Sequence, residues 1–73
     1  MTLKDLLETV LFSQKVTLVK LWDLEGIEDQ IICDKMTHSS IPYFALAEFL
    51  EDPIITVEAQ LDDCGEPFLY VEV

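Results

Sequence analysis

Apolar and polar positions recur along this chain with two different periods, and the change of period divides it into six segments. Leu3, Leu6, Leu7, Val10 and Leu11 fall at i, i+3, i+4, i+7 and i+8, which predicts a helix over Leu3–Phe12 with one stripe turned to a core. Thr2 and Asp5 form a capping box in which Asp replaces the usual Glu, and the acid suits the positive end of the helix dipole. Residues 15–22, "KVTLVKLW", are rich in β-branched side chains and predict a strand; "DLEG" follows as a turn, and "QIICDKM" as a second strand. Ser39 and Ser40 then offer capping hydroxyls, and Pro42 suits a first helical turn. A second helix is predicted over Pro42–Leu50, with Tyr43, Leu46, Ala47 and Leu50 as its stripe. It ends at Asp52-Pro53, because the residue before a proline is pushed out of the helical region. Ile54–Leu61 and Phe68–Val73 alternate with period two, Ile55, Val57, Ala59 and Leu61 sharing one face and Leu69, Val71 and Val73 pointing inward.

The predicted order is helix-strand-strand, twice. Sliding the chain by 39 residues sets Leu7 on Leu46, Leu11 on Leu50, Thr17 on Thr56, Asp23 on Asp62 and Gly26 on Gly65. Val16, Leu18 and Trp22 then fall on Ile55, Val57 and Leu61. These matches describe a repeated plan over residues 3–34 and 42–73. They make "DLEG" and "DDCG" equivalent hairpin turns. Gly26 and Gly65 supply the left-handed residue, and Asp23 and Asp62 accept hydrogen bonds from backbone N–H groups two residues on. "DDCGEP" thus reads as a turn. The expected fold is a single α+β domain over residues 1–73: a four-stranded, mainly antiparallel sheet with both helices on one face, in α-β-β-α-β-β order.

Charge adds a preference for certain partners. Fifteen acids face four lysines, and the imbalance is local. Residues 1–22 hold Lys4, Lys15 and Lys20 against Asp5 and Glu8, a sum of +1, whereas residues 23–73 hold Lys35 against thirteen acids, a sum of −12. Such a field repels nucleic-acid phosphates and anionic membrane surfaces and attracts a basic protein. It also keeps an apolar mini-domain soluble. No apolar run approaches the ~18 residues of a membrane span, and no basic stretch precedes the first helix. Cys33 and Cys64 form no spaced framework, so two free thiols in the cytoplasm are expected.

Candidate chemistry is sparse. Cys33, His38 and Cys64, with Asp34 or Asp63, are the residues a zinc ion could use, but they lack the closely paired spacing of structural zinc sites. Cys33 is expected as a small core or edge residue and His38 as an exposed loop residue. No calcium loop and no phosphate loop occurs, and a Cys–His pair from Cys33 or Cys64 with His38 has no local support. No cofactor and no enzymatic activity are expected. The leading expectation is a non-enzymatic interaction or regulatory module acting on a basic partner. A metal-binding protein using Cys33, His38 and Cys64 is the alternative.

Apolar residues make up 51% of 73 residues, more than two helices on one sheet face need to hide. The predicted surplus is Phe44 and Phe49, off the stripe of the second helix, and Phe68 and Tyr70, on the open face of the last strand. These four mark an interaction surface and predict a homodimer.

The opening "TLKDLLE" helix, the strand ending in "LWD", the "IP"-initiated helix and the closing "IITVEAQL" and "LYVEV" resemble short uncharacterised proteins of bacterial phages and mobile elements. That resemblance spans the whole chain. It implies a small accessory or regulatory protein and carries over no functional residues.

Overall fold

The computed structural model describes residues 1–22 and 25–73. Its elements are α1 (Leu3–Thr9), β1 (Lys15–Lys20), β2 (Gln30–Thr37), a 3-10 turn (His38–Ser40), α2 (Tyr43–Leu46), β3 (Thr56–Leu61) and β4 (Pro67–Glu72). The 3-10 turn is an element that the expected α-β-β-α-β-β succession lacks.

The capping box forms at the start of α1. The Asp5 N–H donates to the Thr2 hydroxyl oxygen at 3.3 Å, and the Thr2 N–H donates to Asp5 Oδ2 at 3.1 Å. Two further N–H groups of the first turn reach across to the end of the α2 region, Leu3 to the Asp52 carbonyl and Lys4 to the Leu50 carbonyl, both at 2.9 Å. Donors that no helix can satisfy internally are met here by tertiary contact. The helix stops at Thr9, short of the predicted Phe12, as Val10 turns extended with φ −84° and ψ 133°.

α2 is shorter still, a single α-turn continued by tighter turns. The Ala45, Phe49 and Asp52 N–H groups bond to the carbonyls three residues back, on Pro42, Leu46 and Phe49. Side chains three apart then eclipse. Leu46 and Phe49, three apart across one of these tighter turns, are both buried, while Tyr43, in the α-turn before them, is exposed. This corrects the expected stripe of Tyr43, Leu46, Ala47 and Leu50: Tyr43 and Ala47 are exposed, and Phe49 joins the core.

The sheet order is β2-β1-β4-β3. Each hairpin is antiparallel, but β1 and β4 pair parallel at the centre, from Lys15 opposite Phe68 to Val19 opposite Glu72. The sheet is mixed, not mainly antiparallel as expected. The parallel junction puts the two strands richest in core-facing residues side by side, so that Val16, Leu18, Val71 and Val73 share one buried surface. Leu3, Leu7, Ile41, Leu46, Phe49 and Cys33 complete the core, with both helices on that face.

The topology breaks the equivalence of the two halves. β1 is central and its counterpart β3 is an outer strand. Val16 and Leu18 are 1% and 0% exposed, whereas their sequence counterparts Ile55 and Val57 are 58% and 42% exposed. The other outer strand, β2, is irregular. Its register against β1 shifts twice, and Lys35 has φ +51°. The Thr17 hydroxyl settles into that irregularity, accepting the Lys35 N–H at 2.9 Å and donating to Asp34 Oδ1 at 3.3 Å.

Both turn glycines adopt the left-handed backbone expected of them, Gly26 at φ +83° and Gly65 at φ +80°. Asp62 Oδ1 accepts the N–H groups of Cys64 and Glu66, each at 2.9 Å. Asp23, its counterpart in the first hairpin, lies outside the described residues.

Candidate interaction surfaces

The residues of the metal alternative do not converge. Cys33 is buried, its thiol donating to the Val16 carbonyl at 3.5 Å, and burial pushes that thiol's pKa up. Cys64 is exposed at the tip of the β3–β4 turn. His38 Nδ1 lies 3.1 Å from the Val10 carbonyl, which can only accept, so this nitrogen carries the proton. Among the described residues, no group of three or more His, Cys, Asp or Glu is placed to hold a metal. No helix among them is long and apolar enough to cross a membrane.

The four aromatic residues marked for interaction are dispersed as well. Phe44 is exposed on α2, and Phe49 is buried in the core. Phe68 lies on the sheet face away from the helices but is covered, with the Lys35 ammonium 5.5 Å from its ring centroid. Tyr70 is half-buried on the same face, its hydroxyl donating to Glu72 at 3.2 Å. Burial raises the Tyr70 pKa, and Glu72, Asp29 and Glu58 add to the rise, which marks this outer face as acidic. These residues do not make one patch.

A different surface emerges beside the helices. The end of α1, the α1–β1 link, His38 and the α2 region enclose an open groove of about 800 Å³. Leu7, Val10, Leu11, Phe12, Tyr43 and Leu50 give it apolar walls. Leu11, Phe12 and Tyr43 are 74%, 73% and 73% exposed, an unusual degree for three large apolar side chains around one depression. The backbone beneath them is tied down. Gln14 N–H donates to the Leu11 carbonyl at 3.0 Å, Ser39 N–H to the Phe12 carbonyl at 3.0 Å, and His38 N–H to the Gln14 carbonyl at 2.8 Å. The Phe12 and His38 rings stand 5.2 Å apart. Glu8 and Glu51 lie at the groove with Lys4 as the cation there. Lys15 and Lys20 are committed elsewhere, the first to Glu66 and Asp62 and the second to Asp52.

Sequence reasoning missed this groove because Leu11 and Tyr43 were counted as core. Leu11 would be turned inward by a regular helix, but α1 stops at Thr9; Tyr43 lies within α2 yet on its exposed side. Phe12, already off the first stripe, was the available signal.

No protein-family model, no curated protein and no solved structure matches the chain.

Proposed function

We propose that this protein is a non-enzymatic interaction module that receives a basic, amphipathic segment of a partner protein in the groove between α1 and α2. The observation that carries the reading is the cluster of exposed Leu11, Phe12 and Tyr43 on a backbone fixed by hydrogen bonds, with Glu8 and Glu51 beside it. Burying each of these apolar side chains contributes roughly 1.5–3 kcal/mol. A groove already in place lowers the ordering cost of binding. The acids contribute differently: they steer a cationic segment toward the groove and set its orientation, in a salt-dependent way. The chain's net charge of −11 extends that steering over the whole surface. The role is regulatory or accessory, in the cytoplasm, in keeping with the phage and mobile-element proteins the sequence resembles.

Tagged protein incubated with host lysate at low salt should retain a basic protein that is released as salt rises. The same capture with Leu11→Asp and Phe12→Asp variants should fail, and titration of the purified partner should show at least a tenfold weaker affinity for either variant, roughly the loss of one buried apolar anchor. Equal capture by wild type and variants, or no capture at all, overturns the reading.

A further inference from the structure

β3 carries a second surface that the groove does not use. It is an outer strand of the sheet, paired on one side only. Its register against β4 runs without interruption from Thr56 opposite Glu72 to Leu61 opposite Pro67. Outer strands in proteins that stay apart are usually guarded by bulges, lysines or prolines. β2 has such guards, two register shifts and Lys35 at positive φ. Within Thr56–Leu61 β3 has none of them, and Glu58 is its single charged residue; the irregular contacts, Pro53 bridged to Thr2 and the Ile55 N–H bonded to the Glu72 carbonyl, lie before it. Ile55, Val57 and Leu61, on the helix side of the sheet, remain exposed beyond the reach of both helices.

The backbone directions along β3 follow from one hydrogen bond. The Asp62 N–H donates to the Glu66 carbonyl at 2.9 Å, and this pair continues the β3–β4 register by one step. In an antiparallel ladder the pairs alternate, so Gln60, Glu58 and Thr56 also turn their backbone groups toward β4. Val57, Ala59 and Leu61 turn theirs outward, to the free edge. We propose that two copies of this chain join through these edges, antiparallel about a two-fold axis at Ala59, to make one continuous sheet.

Symmetry leaves one register that uses all three outward positions. Ala59 stands opposite Ala59 of the second copy, and Val57 opposite its Leu61, on both sides of the axis. Each such pair exchanges two N–H···O bonds. The side chains agree with this register. Val57 and Leu61 make an apolar cross-strand contact twice, and Glu58 meets Gln60 of the second copy. Moving the axis to Glu58 sets two carboxylates against each other. Moving it to Gln60 sets Glu58 against Asp62, and moving it to Val57 leaves Leu61 opposite Pro53, which has no N–H to give. The pairing is isologous and closes on itself, so it stops at a dimer. The opposing force is the charge of −11 on each copy, which salt screens.

Sedimentation equilibrium of the purified chain at micromolar concentrations should give twice the mass of the 8.4 kDa chain, with association tightening as salt is added. Ala59→Pro removes an N–H that the monomer leaves unused, and it should weaken association roughly tenfold or more, the effect of losing the two bonds at the axis. A second pair of variants keeps the test decisive if that substitution unfolds the chain. Ala59→Cys in a Cys64→Ser background brings two thiols together at the axis, where opposed Cα atoms stand about 5.5 Å apart, within disulfide reach. Mild oxidation should convert it to a covalent dimer, while Phe44→Cys in the same background stays monomeric. Leu11→Asp, in the groove, should leave the dimer unchanged. A monomeric mass at every concentration and salt overturns the proposal, as does cross-linking at Phe44→Cys as complete as at Ala59→Cys.

Discussion

The carboxylate of Asp62 accepts two backbone N–H groups and stands 3.8 Å from the Lys15 ammonium. The bond from Glu66 does most to hold its pKa below the ordinary 3.8, the bond from Cys64 and the Lys15 charge add to that, and desolvation opposes it. A carboxyl whose folded pKa is depressed stabilises the fold at every pH above its unfolded value. That contribution disappears as pH falls below 3.8 and through the lower folded value. Asp62→Asn should therefore be less stable than wild type at neutral pH, with the gap closing in acid. Urea midpoints measured from about pH 7 down to about pH 2.5 check this, since that range crosses the ordinary value of 3.8 from which the contribution begins to fall. A gap that does not change with pH would show that the Asp62 charge contributes nothing.

At the scale of elements, both helices are short and lean on tertiary contacts. A seven-residue helix is too short to persist by itself in water. α1 is held by its capping box, by the N–H groups of Leu3 and Lys4 bonded to the α2 region, and by the burial of Leu3 and Leu7. The cap is the part of this set that a single substitution removes without touching the core. Thr2→Ala should destabilise the protein by about 1 kcal/mol, seen as a lower urea midpoint at an unchanged slope. Amide exchange should accelerate most over Leu3–Leu6. An unchanged midpoint would mean that the contacts to Leu50 and Asp52 suffice alone.

For the molecule as a whole, net charge is an unfavourable feature that salt can reveal. Among the described residues Lys15 and Lys20 are tied up in ion pairs, and the chain carries fifteen acids. Compacting a chain of net charge −11 brings like charges together, and added salt screens their repulsion. Thermal unfolding at neutral pH should shift to higher temperature as sodium chloride is raised from about 10 mM to about 500 mM, over which the Debye length falls from roughly 30 Å to a few Å. A melting temperature that falls would show that ion pairs such as those of Lys15 and Lys20 outweigh the net repulsion. Partner capture in the groove should weaken over the same range and the β3 dimer should tighten, so salt separates the processes by sign.

The order of residues alone determined what depends on near neighbours. The Thr2–Asp5 cap, the strand cores, the glycines at the two turns and the role of Asp62 were all legible, because each follows from contacts or backbone preferences within a few positions. The acidic bias was legible because charge needs no fold to be counted. Tertiary structure decided the rest. "VTLV" and "ITVE" occupy matching places in the repeated plan, yet one became a buried central strand and the other an exposed edge. Glu58 in place of Val19 is the one local hint, since a strand buried on both faces reads as a continuous apolar run; the parallel pairing of β1 with β4, strands far apart in the chain, sets which apolar residues find cover. Of the marked aromatics, Phe49 went into the core across the tight turn that follows α2, and Phe68 was buried with the Lys35 ammonium of the β2 irregularity 5.5 Å from its ring. Leu11, periodic enough to belong to the core, was left at the surface because α1 ends at Thr9, and Tyr43 because the short α2 buries Leu46 and turns its first residue outward. Periodicity reports which side chains share a side of an element, and only packing across the chain decides whether that side meets protein or water.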